Sequence, residues 1–342
     1  MTRSTQDPWQ VSEADFPRSG APSDRLRHLL NYAVLAPSDH NTQPWRFRLA
    51  DDCIEVLADR SRALPVVDPR DRELTISCGA AICQLRLAIR HFGFTDHVEL
   101  VPDADRPDLF ARVALGESRA STDEDDQRFR AMLKRRSNRA AFEDRVVPRQ
   151  LVSRLHAAAA EEPVWFHKVA HAEHRGEVAN LVAEGDRLQF ADQAFRQELA
   201  RWIRPNGSRL RDGIPGHALG MGRLVSRFAP LAIRTFDMGS SQARKHRRLV
   251  LGSPLLAVLG TAGDDPGAWL EVGQAMAKVH LQACADGLSV SYMNEPIQAT
   301  DLRPRLRDLL GRMGHPQLLM RFGYGPEAKP TPRRPVSEVL QR

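Results

Sequence analysis

The chain is expected to adopt an α+β fold built from two fused halves, a pseudo-dimer in which mixed sheets are flanked by helices. Three observations predict it. Two long stretches, Glu73–Phe92 and Trp269–Asp286, carry small and apolar residues on several faces. A helix apolar nearly all round belongs in a core. Each stretch follows an Asp-Pro pair (Asp68-Pro69, Asp265-Pro266), holds an internal glycine (Gly79, Gly273) and stops at another (Gly93, Gly287), with the same internal-to-terminal spacing. Glycine at a helix end is ordinary by itself; the shared frame is what suggests repetition. Strand signals surround both helices at irregular intervals, which fits α+β better than a doubly wound parallel sheet.

In chain order, Asp24–Leu35 reads as a helix, apolar at Leu26, Leu29, Leu30, Ala33 and Val34. Trp45–Leu49 and Ile54–Leu57 alternate at period two, and Phe110–Leu115 is a third strand of this half. Glu117–Gln127 is polar, acidic and unpatterned, and serves as the expected linker between a 1–120 half and a 121–342 half. Beyond it come a helix ending at Lys134, an amphipathic helix from Arg149, and a short alternating strand at Val164–Val169. Leu255–Leu259 and Leu318–Phe322 read as buried strands, with a short one at Ser289–Tyr292. Within 186–248, Phe195, Leu199, Trp202 and Ile203 make one helical stripe, Arg204-Pro205-Asn206-Gly207 breaks it, and Gly213, Gly216, Gly220 and Gly222 keep the following stretch pliable.

With 42% hydrophobic and 27% charged residues, the 342-residue chain has the composition of a globular protein. No run is long and apolar enough to span a bilayer, and no membrane partner is expected. Cys53, Cys78, Cys83 and Cys284 lack CxxC spacing and disulfide-scaffold density, so reduced thiols and a cytoplasmic location are expected. The net charge of +6 peaks in Arg244-Lys245-His246-Arg247-Arg248. Without a nucleic-acid module or interleaved aromatics, that run reads as a solvated or lid-facing surface, and no nucleic-acid partner is expected. His167, His171 and His174 have no metalloprotease frame, so no metal is expected. GxSxG, P-loop and GxGxxG motifs are absent, which argues against a hydrolase elbow or a Rossmann nicotinamide domain.

Two segments carry the chemistry. Ala36-Pro37-Ser38-Asp39-His40-Asn41-Thr42-Gln43-Pro44-Trp45 is a polar turn between helix and strand, stiffened by two prolines. Arg135-Arg136-Ser137-Asn138-Arg139 groups always-ionised, bidentate donors suited to a phosphate. Together they resemble the two flavin-contacting signatures of the nitroreductase-fold family, FMN-dependent oxidoreductases that are normally homodimers, and most closely its Acg-like tandem subgroup. In that family the arginine motif comes first. Here the order is inverted, and each half retains only one of the two signatures, so the resemblance implies one FMN shared by two subunit-like halves. A monomer with an internal pseudo-two-fold, or a homodimer, is expected.

By that resemblance Arg135, Arg136 and Ser137 hold the FMN phosphate and ribityl chain, with Arg139 near flavin N1 and the C2 carbonyl. Pro37, Ser38, Asp39 and Asn41 touch the flavin, while Gln43 and Trp45 brace the loop. Asp39 departs from the small neutral residue usual there. Pro296, Ile297 and Gln298 occupy the turn whose backbone amides meet flavin N5 and O4. Lys329, Arg333 and Arg334, in a basic ending, would be further phosphate ligands. No side chain is required as a catalytic acid, because flavin chemistry is the cofactor's own. The resemblance also implies that residues 186–248 are an insertion roofing the flavin as a lid, the alternative being a plain surface excursion. The implied activity is NAD(P)H-linked reduction of a nitro or quinone-type acceptor, and the alternative is a protein that sequesters FMN under a closed lid with little turnover.

Overall fold

The computed structural model describes residues 7–341. After helix α1 (Pro22–Ala33), strands β1 (Trp45–Ala50) and β2 (Cys53–Ala58) lead to the long helix α2 (Arg72–His91), then β3 (Phe94–Leu100) and β4 (Leu109–Ser118). Helices α3 (Asp123–Lys134) and α4 (Arg149–Ala159) precede β5 (Trp165–Lys168), α5 (Ala172–Ala191), α6 (Gln193–Trp202), the short strands β6 (Ile203–Arg204) and β7 (Ile214–Pro215), α7 (Arg223–Thr235) and α8 (Gly239–Leu251). The chain closes with β8 (Leu255–Thr261), α9 (Pro266–Ala285), β9 (Ser289–Tyr292), α10 (Glu295–Gln298), α11 (Leu302–Leu310), β10 (His315–Gly323), α12 (Val336–Val339) and β11 (Leu340–Gln341).

Two main sheets result, in the orders β11-β1-β2-β4-β3 and β5-β8-β10-β9. The first is mixed, since β11 joins β1 in parallel while its other pairs are antiparallel. Every residue of β8 is buried, as its unbroken apolar run requires. Helices α2 and α9 are buried along most of their lengths. They cross where Gly79 meets Gly273: a methyl on either would collide with the other helix's backbone, at Leu270 O or Ile76 O. Only glycine permits that approach. Gly93 (φ 92°) and Gly287 (φ 76°) end the two helices in the left-handed conformation.

The segment expected as a linker is mostly ordered structure. β4 runs through Ser118, and α3 starts at Asp123 behind a capping box between Thr122 and Asp125. The acidic cluster that made 117–127 look unpatterned is the first turn of a helix, where carboxylates favour the positive end of the dipole. The final residues, through α12 and β11, return to the sheet of the first half.

Candidate functional site

The Pro37–Pro44 loop is held open by strain and side-chain bonds. His40, Asn41 and Gln43 all have positive φ (47°, 55°, 53°), a conformation that costs non-glycine residues about 1 kcal/mol or more each. Ser38 Oγ accepts from Gln43 N at 2.9 Å, and Asp39 N donates to Ser77 Oγ at 3.3 Å. Asp39 Oδ1 accepts from His40 N and lies 2.8 Å from His40 Nδ1. Burial raises the Asp39 carboxyl, but the charge and hydrogen bonds of His40 outweigh it and hold Asp39 well below the usual carboxylate range. The unexpected acid is therefore neutralised by its neighbour in sequence.

Asn41 ties three segments together. Its Nδ2 donates to Gly213 O and Pro332 O, and its Oδ1 accepts from Arg333 Nη1 at 2.6 Å. Gln43 donates to Arg211 O and accepts from Arg334 N, bridging the insertion and the chain's end.

Ser137 bridges to Val290 of β9, which lays the arginine segment along the second sheet. Arg135, Arg136, Ser137, Arg139, Lys329 and Arg333 then converge with Pro37, Ser38 and Asn41 around an annex of about 40 Å³. No carboxylate among the described residues pairs with these cations: Arg135 donates to Leu35 O, Arg136 to Leu133 O and Arg135 O, and Arg333 to Asn41 and Thr331. The buried Nε atoms of Arg135 and Arg333 have no hydrogen-bond partner among the described residues. Burial brings Arg135 down to about 10 and holds Arg333 well below its ordinary value, the charges of Arg135 and Arg136 adding to the latter. Such a cluster is costly unless an anion enters it.

Pro37, Ser38, Ser137, Arg139 and Ile214 line both the annex and an adjoining chamber of about 320 Å³. That volume is within the range of small-molecule sites. Its floor includes Ile76, Ser77, Met276 and Tyr292, and its roof includes Leu199, Ile203, Leu219, Met221 and Ile233 of the insertion. Arg139 stands at the junction, its guanidinium lowered by burial against an opposing pull from Asp39. The donor set therefore fits a phosphate-bearing group with a bulky, partly apolar body.

Several expectations are revised. Ile297 N and Gln298 N both bond to Asn294 O, and Pro296 has no N–H, so these amides are consumed by the α10 turn. Pro296 and Ile297 are buried, whereas the Gln298 side chain faces the chamber. Arg334 points away from the annex, toward Gln43 O, Asp59 and Glu338.

The structure also adds residues that were not anticipated. Glu73 receives Gln298 Nε2 at 2.8 Å, and burial raises its carboxyl well above the usual range. His246 Nδ1 sits 3.0 Å from Asp186 and 3.1 Å from Glu295. Burial lowers the imidazole, yet the charge of Glu295 and the bonds to both acids prevail and push it up to about 10. Lys245 and His246 stand inside the basic run that reads as a solvated or lid-facing surface; helical periodicity turns these two toward the chamber.

Comparison with known proteins follows from this geometry. Residues 132–324 match the family model described as "Nitroreductase family". "Putative NAD(P)H nitroreductase Rv3131" of Mycobacterium tuberculosis (strain ATCC 25618 / H37Rv) is 32% identical over 327 residues, covering 93% of this chain and 92% of that protein. "Putative NAD(P)H nitroreductase acg" of the same strain is 27% identical, covering 95% and 98% respectively. The crystal structure of the FMN and NADPH-dependent nitroreductase NfnB from sphigopyxis sp. strain HMH is 21% identical, with a TM-score of 0.43 over 63% of this chain and 98% of that one.

Proposed function

Since the chain belongs to the nitroreductase family, we propose that it is an NAD(P)H-dependent oxidoreductase that binds one FMN in the joined annex and chamber and reduces a nitro or quinone-type acceptor. One observation carries this reading: buried guanidinium groups with no carboxylate partner among the described residues line a small annex that shares five lining residues with a larger, partly apolar chamber. Arg135, Arg136, Ser137, Arg333 and Lys329 would hold the phosphate, and Pro37, Ser38, Asp39, Asn41 and Arg139 would flank the rest of the cofactor. When bound, FMN supplies hydride acceptance from the nicotinamide and electron-pair delivery to the acceptor.

The chain's own tasks are binding, water exclusion and charge placement. Arg139, unpaired at the junction, is a fixed cation beside any anionic form of the cofactor and favours the reduced state. The two signatures come from opposite sides of residue 120, so the 1–120 and 121–342 halves would share a single site. The test is spectroscopic. The purified protein should be yellow, release FMN on denaturation, and be bleached anaerobically by NADPH or NADH at a rate that supports turnover. A colourless protein that takes up no FMN defeats the proposal, and a yellow one that neither nucleotide bleaches indicates sequestration instead.

A further inference from the structure

Helix α7 has one face turned inward and one left bare. Ser226, Ala229 and Ile233 are buried, and Ile233 lines the chamber. On the opposite side Leu224 (74% exposed), Phe228 (67%) and Leu231 (55%) recur at i, i+4 and i+7, with Val225 (61%) beside them and Phe236 (64%) just past the helix end. Contiguous apolar residues at such exposure mark a surface that something covers.

The charge around this stripe is unusual as well. Arg223, Arg227 and Arg234 form the adjacent row of α7, and all three are exposed. Residues 223–251 hold seven lysines and arginines against one acid, Asp237, so this segment carries the entire formal excess of +6 and the rest of the chain is balanced.

We propose that the outer face of α7, with its own flanking arginines, is a docking surface for an anionic phospholipid bilayer. The helix would lie in the interface plane, its apolar row among the acyl chains and its arginines at the headgroups. A second copy of this chain is a poor occupant, because a two-fold contact would set arginine against arginine. Nucleic acid would satisfy the charge and leave Leu224, Phe228 and Leu231 uncovered. The expectation of no membrane partner rested on the lack of a spanning segment, and an in-plane helix requires none. No helix of the described residues is long and apolar enough to cross a membrane.

The test is co-sedimentation of the full-length, cofactor-bearing protein with sucrose-loaded vesicles, either of phosphatidylcholine alone or with phosphatidylglycerol added. Binding to the phosphatidylglycerol vesicles is expected, weakening as salt rises. Leu224→Glu with Phe228→Glu should abolish it, and Arg223→Gln with Arg227→Gln should weaken it roughly fivefold per arginine removed. All four positions are exposed, and the arginine pair keeps the test decisive should the apolar pair disturb folding. No sedimentation with anionic vesicles at low salt would overturn the proposal, as would binding unchanged by the glutamate variants. A solution dimer converted to monomer by Phe228→Glu would also overturn it, assigning the face to a second copy.

Discussion

Arg333 concentrates the logic of the site in one side chain. Its Nη1 is fastened to Asn41 and Thr331, while its Nε has no partner among the described residues. A charge-assisted hydrogen bond is worth roughly 1.5–3 kcal/mol, so Arg333→Ala should weaken FMN binding by about 10- to 100-fold in a fluorescence titration of the apoprotein. Inorganic phosphate should raise the apoprotein's melting temperature by relieving cation repulsion, and less so in this variant. His246 offers a different readout. Its folded value of about 10 exceeds the ordinary 6.5, so it binds a proton more tightly folded than unfolded. Its stabilisation is complete below 6.5 and lost as pH rises through about 10. Urea titrations across that window should show a decline of roughly 2–4 kcal/mol that His246→Gln lacks. Asp186, raised by burial to about 6, adds a smaller decline between 3.8 and 6. At this scale the sequence was legible where contact is local. Asp39 and His40 are adjacent, yet their pairing depends on a left-handed φ that no side chain advertises. The Asp186–His246–Glu295 cluster unites three distant positions and left no local trace.

Among the elements, the crossing of α2 and α9 was the most readable. Matching glycines inside two apolar helices imply close approach, and the contact of Gly79 with Gly273 is that approach. Gly273→Ala would place a methyl on the Ile76 carbonyl and should cost about 3 kcal/mol in chemical denaturation, or force the helices apart. A mild loss, under about 1 kcal/mol, would mean the crossing is not close-packed. Helices α5, α7, α8 and α11 were not assigned from periodicity. In α5, buried residues interrupt a heavily charged sequence, and α7 is apolar on an outer face as well as an inner one. The roof is tethered: Arg62 and Arg204 share Asp212, and Gly213 exchanges hydrogen bonds with Asn41. Arg62→Ala should loosen it and raise the rate at which bulky acceptors oxidise the reduced protein by about 5–10-fold, measured by stopped flow, since one partly buried ion pair contributes on the order of 1 kcal/mol.

Taken whole, the molecule does not divide at its linker. Residues before 120 shape the loop beside the annex, residues beyond it supply the cations, and residues from 199 to 233 roof the chamber. Residues 1–120 expressed alone should therefore fail to give a cooperative melt, which calorimetry would check. The pairing of β11 with β1 was invisible in the sequence, because two residues carry no period. It has a practical bearing. Arg333 lies one short helical turn upstream of a strand pinned to the far sheet. A reporter protein or affinity handle joined beyond Gln341 would tug on that strand, and through it on the guanidinium proposed to hold phosphate. Preparations carrying such an appendage should emerge paler than those labelled at the amino end.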